Sequence, residues 1–131
     1  FKIVNSLANK MKKEDALFIK GIEAFNKRKF YDAHEYWEEL WLDYKLNDAQ
    51  FIQGLIQLAV SYFHFFNQNL NGARSMLKKC LKKIDSIEVA RGIDVIELKS
   101  QICNVQKYFD KIDNTDDITS SYIIIIKVLH E

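Results

Sequence analysis

The chain has no proline at all and only four glycines, at positions 21, 54, 72 and 92, in 131 residues. Proline breaks helices and marks turns, so its absence suits a chain that is mostly helix. No stretch is low in complexity, and none has the composition of a flexible linker. Cysteine is nearly as scarce. Cys80 and Cys103 stand alone, outside any C-x-x-C pattern, and make no disulfide framework. Both fall at apolar positions of a helical pattern and read as small core residues, as expected in a reducing compartment. Long apolar runs are missing too. The longest, Tyr122 to Ile126, is far short of the ~18 residues of a membrane span. Nor is there an excess of charge. Lys and Arg total 19 and Asp and Glu 18, a net +1, which predicts neither nucleic-acid nor membrane binding. Phe1 to Lys13 has four lysines and no acid, but lacks the apolar stretch of a secretory signal. The chain does not begin with Met, as expected of a trimmed or processed form.

What is present is ordinary for a globular protein, with 48% hydrophobic and 28% charged residues. The length predicts one domain over residues 1–131, able to bury its own core without a disulfide or a metal. Apolar residues step by three and four in four places, at about 14–28, 30–45, 71–84 and 93–112. A fifth segment, about 48–67, is apolar over roughly half the helix circumference, which places it at the centre. Its narrow remaining stripe holds Gln53, Gln57, Val60 and His64. Asp48 and Asn71 are candidate N-caps, Asn67 to Gly72 reads as a turn, and Gly92 is placed to end a short helical stretch. The predicted fold is all-α, with about five helices in antiparallel hairpins forming an irregular bundle. The hairpins would stack much as tetratricopeptide pairs do, although no repeat period is visible. The Ile-rich segment Ser120 to Val128 fits either a last helix or an extended arm lying on the core.

The stretch from Ala33 to Trp41 carries the chemistry. His34 and Glu38 are four apart and share a helix face, with His34 about 20° from Trp41. Glu35 points away, and Glu38 occupies the position where a zinc-protease helix needs its second histidine. Two readings stay open. In one, His34 and Glu38 face Gln57 and His64 on the central helix. They then form an acid–base site, or, through His34, Glu38 and His64, a divalent-metal site. In the other, the same residues are a hydrogen-bonded cluster that holds two helices in register. A di-iron bundle needs more inward carboxylates than the chain offers. Phe30, Trp37, Trp41 and Tyr44 are at core spacing and read as packing; an exposed aromatic groove for a partner peptide is the alternative. Asn69 shapes the turn after the central helix and is also a binding candidate. Arg74, Lys78, Lys79, Lys82 and Lys83 line one face of the fourth helix, either as a solvated face or as a nucleic-acid surface.

These residues also carry a resemblance. Phe25-Asn26, then Phe30 to Glu35 and on through Trp37-Glu38 to Trp41, makes a first motif. Gln53 to Ala59, then His64, Asn69 and Gly72-Ala73, makes a second. Over about 17–84 the chain resembles the family catalogued as domain of unknown function 309, small helical proteins of bacteria, archaea and plastids. The resemblance implies antiparallel helix pairs, and the cytoplasm or the plastid stroma as location. It implies no activity. Its motif positions here are His34, Glu35, Glu38, Trp41, Gln53, Gln57, His64 and Asn69.

Three functions follow as expectations. The first is a non-enzymatic helical interaction or structural module, with self-association as a homodimer through the Ile-rich segment as one route. The second is a metal-dependent or acid–base enzyme centred on His34, Glu38, Gln57 and His64. The third is a basic nucleic-acid surface on the fourth helix.

Overall fold

The computed structural model describes residues 2–116 and 118–129, with side chains from residue 12 onward. Among the described residues five helices follow in order: α1 (Lys2–Asn26), α2 (Phe30–Asp43), α3 (Ala49–Phe66), α4 (Leu70–Ile84) and α5 (Val95–Lys111). Each packs on the next, so the expected all-α stack of hairpins is the architecture. Between α4 and α5 stand two very short strands, β1 (Val89–Ala90) and β2 (Ile93–Asp94), paired antiparallel with Val89 opposite Asp94.

The buried stripes are those the periodicity marks. α2 buries Phe30, Ala33, Trp37 and Leu40. α3 buries residues nearly all round, including Phe51, Ile52, Leu55, Leu58, Tyr62 and Phe65. Trp41 departs from expectation: it is 38% exposed, because it lies on the flank of α2, about 40° round from Trp37. Cys80 is in the core, while Cys103 is only half-buried; both thiols are free. Phe30 stacks on Tyr62 at 4.8 Å and on Phe66 at 5.9 Å, tying the start of α2 to the end of α3.

The α1–α2 and α3–α4 turns share one geometry. Arg28 and Gln68 both take left-handed backbone, with φ of 63° and 57°. Lys29 N–H then bonds Ala24 C=O at 2.8 Å, and Asn69 N–H bonds His64 C=O at 2.9 Å. Each is the capping loop that satisfies the last carbonyls of a helix. The cap of α4 is therefore Asn69 and not Asn71: its Oδ1 accepts from Gly72 N–H at 2.9 Å. Asp48 does stand at the N-cap of α3, but its carboxylate is committed elsewhere, to Arg91 at 2.6 and 3.1 Å.

Gly92 ends no helix. With φ of 48° and 76°, Arg91 and Gly92 form the two-residue turn of the β1–β2 hairpin, a shape that needs positive φ at both positions. Arg91 accepts that backbone while its guanidinium is held by Asp48 and lies 5.2 Å from the Phe18 ring centroid. The Ile-rich segment is an extended arm, not a helix. It opens with a short 3₁₀ turn, Ser120–Tyr122, then runs extended and buries Ile123, Ile124 and Ile126 against the same chain's core. Side chains stand in for a neighbouring strand. Tyr62 hydroxyl donates to Tyr122 C=O at 2.6 Å and accepts from Ile124 N–H at 3.1 Å. Asn26 bonds both backbone groups of Ile126, at 2.9 and 2.8 Å.

Candidate functional site

The two sides of α3 are built differently. Toward α4, the helix carries small groups that let the neighbour close in. A Cβ on Gly54 would fall 2.7 Å from a methyl of Ile84, and Ser61 hydroxyl donates to Ala73 C=O at 2.7 Å. Toward α2, the far half of α3 leaves a cleft of about 160 Å³, open to solvent and lined by Tyr31, His34, Val60, Phe63 and His64. The sequence places His34 and His64 on different helices; the fold brings both to this cleft. The Tyr31 ring lies 5.7 Å from His34 and 5.4 Å from Phe63, centroid to centroid, and Phe63 lies 6.1 Å from His64. The rings therefore line the cleft as one aromatic series.

Each histidine has a polar neighbour. His34 Nε2 stands 2.6 Å from Glu38 Oε2, one helical turn away, in a pair that is partly in water, with side-chain exposures of 24% and 45%. Asn69 Nδ2 lies 3.4 Å from His64 Nδ1. Tyr31 hydroxyl donates to Glu35, which first by that bond and then by its charge pushes the tyrosine pKa up, with Glu38 and Asp32 adding to it. The α2 rim of the cleft is thus acidic.

Gln57 does not line this cleft. It is 8% exposed, two turns before His64, and its Oε1 has no hydrogen-bond partner among the described residues. Among the described residues no three His, Cys, Asp or Glu side chains are placed to hold an ion. Arg74 leaves the basic face of α4, because its guanidinium bonds Phe109 and Ile112 C=O, both at 2.8 Å, at the end of α5. Lys78, Lys79 and Lys82 remain exposed. Tyr31, which lies inside the first motif, and Phe63 are lining residues absent from the candidate site residues. The available signal was an aromatic one turn before His34 and another next to His64.

A second cleft, of about 430 Å³, shares Tyr31 and Phe63 with the first and runs to Phe66 past Arg28 and Lys29. No described helix is long and apolar enough to cross a membrane.

Fold and site together define a protein of stacked helical hairpins with a histidine-lined cleft. Residues 18–76, from late α1 into α4, match the family described as Domain of unknown function (DUF309), a description that assigns no activity. That match supports the family resemblance over this stretch. No curated protein and no solved structure matches the chain.

Proposed function

We propose that the chain is one helical domain acting as a recognition module, without catalysis of its own, and that its ligand seats in the α2–α3 cleft. The observation that carries this reading is the meeting of His34 and His64 in one solvent-reachable cleft with aromatic walls. Ligand sites commonly pair apolar walls with a few convergent polar groups. The flank of α2 that carries Tyr31, His34, Glu38 and Trp41 spans only about 80° of the helix, so these partly exposed residues act as one surface. The two free thiols suit a reducing compartment, the cytoplasm or the plastid stroma. Self-association through the arm has less to draw on, since three of its isoleucines are already covered.

Acid–base chemistry is the second reading, favoured by the 2.6 Å His34–Glu38 pair. To that pair the cleft lining adds His64 and the Tyr31 hydroxyl, but no carboxyl, thiol or Ser/Thr hydroxyl to serve as a nucleophile, so binding comes first.

Fragment mapping by amide NMR tests the proposal. Shifts clustering on Tyr31, His34, Val60, Phe63 and His64 are expected. Fragments that leave these signals still, while moving those of Ile93, Leu98 and Ile126 in the groove beside the arm, would move the site there.

A further inference from the structure

The neighbours of the two histidines set which ring nitrogen carries the proton. Gly72 N–H holds Asn69 Oδ1 at 2.9 Å, so the Asn69 amide group that faces His64 Nδ1 is its NH₂. An NH₂ can only donate, so Nδ1 of His64 keeps its lone pair and the proton sits on Nε2. The arrangement is tightly set: a Cβ on Gly72 would come within 2.6 Å of Asn69 Nδ2 and 3.0 Å of His64 Cδ2. At His34 the order is reached from the other side. Glu38 accepts at Nε2, 2.6 Å away, so a ring with a single proton carries it on Nε2, and Nδ1 is then the acceptor left over. One histidine keeps a spare donor and the other a spare acceptor.

Resting on the cleft as the binding site, we infer that it takes an uncharged ligand with a carboxamide on an aromatic body. The amide C=O accepts from His64 Nε2–H, the amide NH₂ donates to His34 Nδ1, and the body lies among Tyr31, Val60 and Phe63. A carboxylate has nothing to donate to His34, and it meets the rim charges of Asp32, Glu35 and Glu38. An ammonium has nothing to accept from His64, which leaves a desolvated donor unpaired.

The test uses matched probes, benzamide, benzoate and benzylamine, titrated into ¹⁵N-labelled protein near pH 7.5. Long-range ¹H–¹⁵N spectra of the imidazoles read tautomer and binding together. Both rings are expected as Nε2–H tautomers, and benzamide alone is expected to move both. Asn69→Asp keeps a side chain that caps α4, but its second oxygen demands a proton on His64 Nδ1. The variant should switch that ring to the Nδ1–H form and weaken benzamide about tenfold, the loss of one hydrogen bond. Benzoate or benzylamine binding the cleft as well as benzamide does, or an Asn69→Asp variant with unchanged tautomer and affinity, overturns the inference and leaves the cleft reading standing. If none of the three probes moves either ring, the inference fails as well, and the fragment map alone decides on the cleft.

Discussion

The α4 side and the α2 side of α3 are opposite solutions to placing polar residues on a central helix. On the α4 side, Gly54 and Ser61 are small, and the hydroxyl is satisfied inside the seam by Ala73. On the α2 side, His34 and His64 are bulky, keep ring nitrogens to spare and reach solvent. A polar residue that is small, buried and fully bonded explains packing. A polar residue with leftover capacity beside an open, aromatic-walled cleft suits the proposed recognition. Gln57 fits neither description, being buried with an unpaired carbonyl.

The contrast can be broken most sharply at the closed seam. Gly54→Val adds methyl groups where even a Cβ meets Ile84 at 2.7 Å, and should lower stability by about 1–3 kcal/mol in urea unfolding while leaving the imidazole spectra unchanged. A stability within error of wild type would mean that the seam is looser than the geometry shows.

A second prediction uses pH on the same seam. Burial pushes the Cys80 thiol from its ordinary value near 9 up to about 12. The folded state then keeps a proton that the unfolded state releases. Stability is full below pH 9 and falls by about 1.4 kcal/mol per unit above it, through the folded value. Tyr62, raised by burial as well, adds to the fall at still higher pH. Urea titrations at pH 8 and 10.5 should show the loss, and Cys80→Ala should flatten the part that belongs to the thiol. Cys103, only half-buried, should react with a thiol reagent well before Cys80 does.

Gln57→Met sharpens the intermediate case. Replacing a buried amide whose carbonyl is unpaired with an apolar side chain of similar size should be neutral or stabilise by up to about 1 kcal/mol. A loss larger than that would mean that the amide works for the fold after all. The smallest stability effects are expected at the open side. His34→Ala and His64→Phe should each stay within about 0.5 kcal/mol of wild type, since both side chains are partly in water and the half-exposed His34–Glu38 pair contributes little to folding. Both should lose fragment binding. Variants that unfold instead would return these residues to the register-holding role.

The helices were legible because their apolar residues keep a strict period, as Phe30, Ala33, Trp37 and Leu40 do on α2. Pattern alone could not separate Trp41 from that stripe, since it is only one step off and is left exposed by what packs beside it. The site was legible in part. The positions of His34, Glu38 and His64 were placed on facing helices, but the walls of Tyr31 and Phe63 look like any other apolar residues in sequence. The stripe of α3 that the sequence groups together buries Gln57 and leaves Gln53, Val60 and His64 half-buried, a difference that periodicity does not show. The turn at Arg91 and Gly92 is not legible in the sequence, because arginine does not announce the positive φ it takes there. The repeated turn geometry at Arg28 and Gln68 was hidden as well, since neither residue type announces a left-handed backbone.

The most direct measurement is a crystal structure of the protein soaked with benzamide. The probe is expected between Tyr31 and Phe63, its oxygen toward His64 Nε2 and its nitrogen toward His34 Nδ1. Benzamide bound only in the groove between α5 and the C-terminal arm, with the α2–α3 cleft empty, would contradict the assignment of recognition to the open side of α3.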